Sequence, residues 1–444
     1  MTNSFLQVSL CLVAGILLIV ILTARFRIPA FFALFVACFV VGLGVELPVT
    51  SVIEIMKDGF GNIMRSLAFI IVIGTALGVI LEFTRSTQVI ASFILRKTGD
   101  RHAPLAMSIT GFVVGLPIFC DSGYIVMSGV NNSLQRKTGI PMPVMAISLA
   151  TGLYSVHCLL PPHPGAAAAA ALLKVDYGKL ILTGLLVALP AMMAGNWWAK
   201  RMGRRVQSKE EMPPDEKSAS NQELPSTGKA FLPVVVPILL IAIRSFFLNS
   251  PSLLDNLKPA LILGEPIIAL SIGLLLALNC KRAWKKNEIG KLLQEAAEKA
   301  GGILVIIGAG GAFGAILAVT RIGHHFSEAV SLEHFGIFFP FLLTAILKTA
   351  QGSSTVAIIT ASSIVLPLLP SLGLTSENGA LLTVLSMGAG SMMISHSNDA
   401  YFWVIAKFSG LEMKTMLKVY SLASIIMGVI SILMIYFISL ITGY

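Results

Sequence analysis

The hydrophobic positions of this chain fall in long apolar runs separated by short charged loops. A run of about 17–25 apolar residues is long enough for a helix to cross the hydrocarbon layer of a membrane. Ten such crossings are predicted, over 5–23, 29–49, 66–83, 141–173, 178–199, 230–248, 260–280, 301–319, 379–409 and 415–441. Two of them, 141–173 and 379–409, are too long for one simple span, and each carries a polar or proline-rich interruption. Two further stretches, 104–135 and 336–371, have polar centres and read either as pairs of short crossings or as re-entrant hairpins. The one long polar segment, 200–229, is predicted to be a flexible cytoplasmic linker between two halves, 1–199 and 230–444.

Composition supports a lipid environment. Of 444 residues, 55% are hydrophobic and 12% charged, and the mean hydropathy is +0.85; a soluble protein carries roughly 25% charged residues. The run 5–23 has Arg25 and Arg27 behind it and no basic residue ahead, so it reads as a crossing and not as a cleavable signal. A net charge of +10 raises the question of nucleic acid, but the charges lie in loops between apolar runs, where they set topology. No nucleic-acid partner is expected. The five cysteines, Cys11, Cys38, Cys120, Cys158 and Cys280, lie in or at the ends of apolar runs without metal-ligand spacing. Neither a disulfide framework nor a metal is expected, and no cofactor is.

The two halves are related. Residues 74–85 read GTALGVILEFTR and residues 310–321 read GGAFGAILAVTR, identical at seven of twelve positions. Each holds a GxxxG pair, Gly74/Gly78 and Gly310/Gly314, a spacing that lets helices approach closely in lipid. With the linker cytoplasmic and both polar-centred stretches re-entrant, 24 of the 32 Lys and Arg residues fall in cytoplasmic segments: 24–28, 84–103, 136–140, 200–229, 281–300 and 407–418. Seven fall outside (Lys57, Arg65, Lys174, Lys179, Arg244, Lys258 and Arg321), and Lys348 is left within the membrane. Cytoplasmic loops carry the excess of basic residues, so the matched segments run in opposite directions, 66–83 inward and 301–319 outward. The predicted fold class is all-α: a polytopic membrane protein built as an inverted repeat. Each half has about five transmembrane helices plus one re-entrant hairpin, and the broken helices meet near the midplane, where carriers of this design place their site.

Ionisable residues at membrane depth cost about 2.5–3.5 kcal/mol each on insertion scales, which makes each a functional candidate. They occur at four places, two per half. The centre of 104–135 reads Pro117-Ile-Phe-Cys-Asp121-Ser122-Gly123. Asp121 is a candidate to hold a proton or a cation, or to cap the helix after it; Ser122 and the Gly123 backbone are candidate substrate contacts. The interruption in 141–173 is His157-Cys-Leu-Leu-Pro161-Pro162-His163-Pro164-Gly165, followed by six alanines. Its prolines stop a helix, and Gly165 opens a half-helix whose free N–H groups suit an anion. His157 and His163 are candidate proton acceptors or hydrogen-bond donors.

The centre of 336–371 is Lys348-Thr-Ala-Gln351-Gly352-Ser353-Ser354-Thr355. The Gly352 backbone and the hydroxyls of Ser353, Ser354 and Thr355 suit a hydroxylated or carboxylated substrate. Lys348 reads as the partner of a substrate carboxylate, as half of a structural ion pair, or as a side chain that snorkels to the interface. The break in 379–409 is Ser395-His396-Ser397-Asn398-Asp399. Asn398 or Asp399 caps the next half-helix, and the remaining polar side chains, His396 among them, exceed what capping requires. By contrast, the cluster GAGGAFG at 308–314 lacks the spacing and the βαβ context of a dinucleotide fingerprint. His324, His325 and His334 are assigned to an outside loop without a metal, and Trp197-Trp198 to an interfacial anchor. The absence of HExxH and GxGD motifs argues against an intramembrane enzyme, and accumulation against a gradient is what separates a carrier from a channel.

On these motifs the chain resembles the gluconate permease (GntP) family of proton-coupled sugar-acid symporters, within the wider ion-transporter superfamily, along essentially its whole length. The likeness is carried by His157 with PPHPG at 161–165, by the Gly-Ser-x-Thr-Val-Ala run from Gly352, and by Ser-His-x-Asn-Asp-x-x-Phe/Trp at 395–403. It implies a multi-pass protein of the bacterial inner membrane that takes up gluconate or a related small hydroxylated acid. It also implies a scaffold domain and a mobile transport domain, often as a dimer. The partners are then a small anionic substrate, protons and membrane lipid. Members tend to have Glu-Val-Gly where this chain has Asp121-Ser122-Gly123, and one member carries D-serine. A small hydroxy or amino acid is therefore the alternative cargo, and sodium the alternative coupling ion. The expected mechanism is alternating access, with one or more of Asp121, His157, His163, His396 and Asp399 taking up the proton.

Overall fold

The structure, a computed structural model, describes residues 5–99, 102–206, 224–248, 258–320 and 334–443, and every regular element among them is helical. A lipid solvent favours this, because a helix satisfies its backbone hydrogen bonds within one segment. The first half runs α1 (Phe5–Val20), α2 (Ala30–Gly44), α3 (Val49–Phe83), α4 (Ser86–Thr98), α5 (Ala103–Gly115), α6 (Cys120–Thr138), α7 (Met142–Leu159), α8 (Pro164–Leu172) and α9 (Tyr177–Gly203). The second runs α10 (Thr227–Leu248), α11 (Lys258–Leu261), α12 (Pro266–Leu278), α13 (Glu288–Val319), α14 (Phe338–Gln351), α15 (Ser354–Val365), α16 (Glu377–Met392), α17 (Ala400–Ser409), α18 (Met413–Met416) and α19 (Leu422–Thr442).

Seven stretches among the described residues are long and apolar enough to cross a membrane: Leu6–Arg25, Val49–Phe83, Met142–Leu172, Tyr177–Gly203, Thr227–Phe247, Glu288–Val319 and Met413–Thr442. Each overlaps a predicted crossing. The runs at 29–49 and 260–280 form the shorter helices α2 and α12, of 15 and 13 residues, and 379–409 is divided between α16 and α17. Helix enters the predicted linker from both sides, since α9 continues to Gly203 and α10 begins at Thr227. Positions 207–223 of that linker lie outside the described residues, as do Arg321, His324 and His325; His334 is exposed.

Two helices outrun their predicted spans. α3 has 35 residues and α13 has 32, roughly 50 Å each at 1.5 Å per residue. In both, a polar segment still suited to helix precedes the apolar stretch, with Glu54, Lys57 and Asp58 in α3 and Glu288, Lys291 and Glu295 in α13. The two pack against each other extensively. Their backbones come close at Gly59 and Gly311, and Glu82 lies with Lys299 on the wall of a small cavity further along.

The matched GxxxG pairs serve other contacts. A Cβ added at Gly78 would stand 2.9 Å from the Pro117 carbonyl oxygen, and one at Gly74 would stand 3.2 Å from the Pro162 ring. α3 is thus seated on both polar interruptions of its own half. In α13 a Cβ at Gly310 would meet Ile359 of α15 at 2.2 Å.

Packing recurs between the halves. α5 lies on α7 as α14 lies on α16; α7 lies on α9 as α16 lies on α19; α2 meets α13 as α12 meets α3; and α8 meets α15 as α17 meets α6. At the centre, every residue of α7 is buried except His157, which is partly so. At the periphery α1, α10 and α19 turn Leu10, Leu239 and Phe437 outward, as lipid-facing helices do. The helices α5, α14 and α15, of 13, 14 and 12 residues, are roughly 18–21 Å long against a hydrocarbon layer of about 30 Å.

The seating of α3 is open to a direct check. Gly78→Val should lower thermal stability in detergent by about 1–3 kcal/mol, the range for overpacking a close contact. Gly61→Ala, where an added Cβ meets nothing within 4 Å, should not lower it. Equal melting of the two variants would show that the hairpin tip does not rest on α3.

Candidate functional site

The second half joins its hairpin tip to its broken helix through a buried ion pair. Lys348, one turn before the end of α14, has a fully buried side chain whose Nζ donates to Asp399 Oδ2 at 2.7 Å and also to the Gly352 carbonyl. Asp399 is the N-cap of α17, its Oδ1 accepting from the Tyr401 N–H at 3.0 Å; Oδ2 accepts in addition from Ser395 Oγ. The last carbonyls of α14, which a helix end leaves without partners, are met by the same loop. Asn398 Nδ2 donates to the Thr349 and Ala350 oxygens at 2.8 and 3.3 Å, and His396 Nε2 lies 3.0 Å from the Thr349 oxygen. Gly352 then ends α14 with φ at +82°, its N–H bonded to the Lys348 oxygen. No side chain fits there: a Cβ would lie 2.2 Å from the Asn398 oxygen.

The first half repeats this device with different residues. His163 is the N-cap of α8, and its Nε2 donates to the oxygen of Gly115, the last residue of α5, at 2.7 Å. A carbonyl only accepts, so this contact fixes the proton on Nε2. His157 sits edge-on to His163 with ring centroids 4.9 Å apart, and its Nδ1 is buried without a partner. Asp121 does not cap α6; Phe119 occupies that position. Its carboxylate lies in the first turn, where the helix dipole favours negative charge, with Cys120 Sγ 3.9 Å away.

Four helix N-termini meet in two pairs. Those of α8 and α15 are adjacent: a Cβ on Gly165 would stand 3.3 Å from Thr355 Cα and 2.8 Å from Ile358 Cδ1. Those of α6 and α17, two helices that pack on each other, carry Asp121 and Asp399. Lys348 is paired with Asp399, and the packing of α6 on α17 brings Asp121 toward the same pair. One pair of positive dipole ends therefore faces the chain's own carboxylates. The other carries the imidazole of His163, the cap of α8, and a row of hydroxyls, since Ser353 caps α15 through a bond from the Val356 N–H, and Ser354 and Thr355 follow.

The predicted site residues thus fall into two linked groups. Lys348, Gly352, Ser353, His396, Asn398 and Asp399 form one, and His157 and His163 with Gly165, Ser354 and Thr355 the other. Asp121 reaches the first through the packing of α6 on α17; Gly123 continues the first turn of α6, and Ser122 faces a small cavity with Gly78, Glu82, Pro117 and Lys299. Residues that sequence reasoning passed over bind the halves together. Tyr154 in α7 donates to the Ser391 oxygen in α16 at 3.0 Å, and Tyr401 in α17 donates to the Ala150 oxygen in α7 at 3.2 Å. Their rings stack at 5.6 Å, with Tyr124 and Tyr420 around them. Gln351 at the second tip buries both polar atoms of its amide without a partner. A lone tyrosine in an apolar run carries no spacing signal, whereas Gln351 stands in the polar centre of 336–371 and is legible there as part of the interruption.

Comparison with known proteins gives one family. The profile described as GntP family permease matches residues 7–441. A gluconate permease of Pseudomonas aeruginosa is 32% identical over 436 residues, covering 95% of each chain. A high-affinity gluconate transporter of Escherichia coli is 31% identical over 421 residues, covering 94% of this chain and 95% of its own. Among solved structures, the crystal structure of the Alcanivorax borkumensis YdaH transporter shares the fold, with a TM-score of 0.64 at 14% identity over 89% of this chain and 90% of that one.

Removing one partner of a buried ion pair strands the other charge, at a cost of about 3–5 kcal/mol. Lys348→Met should therefore lower the melting stability of the purified protein by that amount. The double variant Lys348→Met with Asp399→Asn, which keeps a capping side chain, should recover at least half of the loss. A double variant no more stable than the single one would rule out pairing as the reason Lys348 is tolerated.

Proposed function

The chain belongs to the GntP permease family, and we propose that it is a secondary active transporter taking up gluconate or a related small hydroxylated acid with protons, by alternating access. As a member it is a permease rather than an enzyme, and a multi-pass protein of the bacterial inner membrane. Gluconate is proposed on the names of the relatives from Pseudomonas aeruginosa and Escherichia coli.

The observation that carries the mechanism is the division of labour between the two pairs of helix ends. The α6 and α17 pair holds two carboxylates and one ammonium, Asp121, Asp399 and Lys348, a net charge of −1 with all three ionised. An organic anion brought beside it raises the charge to −2 at a depth where charge is poorly screened. A proton arriving with the anion leaves the total unchanged. Anion and proton therefore favour each other's binding, which is the thermodynamic content of symport. The carboxylate of the substrate is assigned to the α8 and α15 ends, where N–H groups converge without a resident acid. Ser353, Ser354, Thr355 and Asn398 are assigned to its hydroxyls. Lys348 is spent on Asp399 and holds the site together. Asp121, which forms no ion pair with a lysine or arginine among the described residues, is the first candidate to take the proton. His157, with its buried unpartnered Nδ1, is the second, and His163, His396 and Asp399 follow.

Alternating access needs two related halves, here 1–199 and 230–444, arranged as an inverted repeat around this centre. The matched segments 74–85 and 310–321, the recurring packing of hairpin on broken helix, and the surplus of Lys and Arg on one face support that reading. So do the contacts of α3 with α13, where Gly59 meets Gly311 while Glu82 neighbours Lys299, as antiparallel helices require.

Reconstitution tests the proposal. Proteoliposomes with an inward proton gradient should accumulate gluconate, and a protonophore should abolish the accumulation. Asp121→Asn should lose gradient-driven accumulation at least tenfold while retaining exchange of internal for external gluconate. Accumulation that follows a sodium gradient at constant pH, or that survives unchanged in Asp121→Asn, would overturn the coupling assigned here.

A further inference from the structure

The buried stripe of α14 ends on a polar side chain with nothing to bond. Along α14 the buried positions include Phe341, Thr344, Leu347 and Lys348, the spacing of one helix face. Leu342 and Ile346, on the opposite side, are exposed. The same spacing makes Gln351, three residues after Lys348 and the last of the helix, the next member of the stripe. The stripe follows α16. A Cβ on Gly390 would stand 2.2 Å from the Phe341 oxygen and 3.0 Å from Thr344 Cβ, and one turn on, Lys348 reaches Asp399 beyond the end of α16. Gln351 therefore turns inward one step past the ion pair, at the hairpin tip. The other polar side chains of 348–353 are satisfied within the chain. Lys348 Nζ donates to Asp399 and Gly352, Thr349 Oγ1 donates to the Ala345 oxygen at 2.8 Å, and Ser353 Oγ accepts from the Val356 N–H. In Gln351 both Oε1 and Nε2 are buried and neither has a hydrogen-bond partner.

A buried donor or acceptor left unmet is costly, and a primary amide with both ends unmet incurs the cost twice. Methionine, of similar length, would incur neither. The chemistry of the amide defines what meets it: Oε1 requires a donor and Nε2 requires acceptors. A carboxylate supplies only acceptors and an ammonium only donors, whereas a hydroxyl supplies both. Two neighbouring hydroxyls meet both ends at once. We propose that Gln351 is a specificity-determining residue of the transport site, whose amide bonds one or two hydroxyls of the acid and so selects a hydroxylated chain over a deoxygenated or amino one. A cargo without that hydroxyl leaves the amide unpaired, which is how a hydrogen-bonding site rejects it. The identity of the cargo rests on the transport reading above; the place of Gln351 and its unmet amide do not.

Uptake of gluconate and of the series of monodeoxygluconates by proteoliposomes tests it, with Gln351→Met beside the unmodified chain. For at least one deoxy analogue the unmodified chain should show a KM about tenfold or more above that for gluconate. Gln351→Met should raise the KM for gluconate about tenfold and leave that analogue within about twofold of its former value, so that the two substrates become equivalent. A merely structural role would shift both alike. Melting in detergent without substrate is the second readout: Gln351→Met should be at least as stable as the unmodified chain, because it removes two unmet polar atoms. A lower melting temperature for Gln351→Met overturns the assignment, as does discrimination among the analogues that the variant leaves unchanged. Gluconate uptake by the unmodified chain with no discrimination against any analogue overturns it too. An unmodified chain that transports no gluconate overturns the transport reading instead, and with it the cargo named here, while the melting comparison still decides whether the amide is unmet.

Discussion

A helix that stops inside a bilayer leaves four amides at one end and four carbonyls at the other with no water to turn to. This protein stops helices repeatedly in its buried interior, where water is equally absent, and much of its polar chemistry is an answer to that constraint. Where α5 ends, His163 donates to the Gly115 carbonyl; where α14 ends, Asn398 and His396 meet Thr349 and Ala350. Each donor comes from the broken helix of the same half. A hairpin tip and a helix break, each costly alone, are thereby made to satisfy one another.

Charge follows from the same geometry. The amide ends that remain form local positive poles, and the chain fills one pair of poles with Asp121 and Asp399 and leaves the other to His163 and hydroxyls. Lys348 then has a reason to be buried: its partner is the cap of α17, and its second contact is the carbonyl that closes the α14 turn. The ion pair is therefore part of how two backbone interruptions are held in register. Its loss would be felt first as loss of structure and only then as loss of transport.

Much of this was legible in the chain. The prolines at 161, 162 and 164 and the polar run 395–399 announce breaks, because no helix in lipid accepts either without compensation. The lengths of α3 and α13 are less legible, since Glu54, Lys57 and Asp58 in one and Glu288, Lys291 and Glu295 in the other interrupt the apolar pattern while remaining good helix. The chain by itself does not specify the partner of Lys348, because Asp399 lies 51 positions away and nothing local points to it. Asp121 was weighed as a cap, yet the turn before it places Phe119 at the cap position. Capping rules see the residue type; they do not see where a neighbouring proline ends the previous helix. The tyrosines were invisible for a simpler reason, each being one apolar ring among many until the fold brings four of them together.

Those tyrosines constrain movement. The Tyr154 hydroxyl is tied to α16 and the Tyr401 hydroxyl to α7, so each interrupted helix is fastened to the opposite half by a buried bond. Pulling α7 away from α16 and α17 would strand two tyrosine hydroxyls in an apolar interior, at about 1–3 kcal/mol for each orphaned group. That seam is an expensive one to open. A movement that parts the two interrupted helices carries that cost, and one that carries them together as a single block does not.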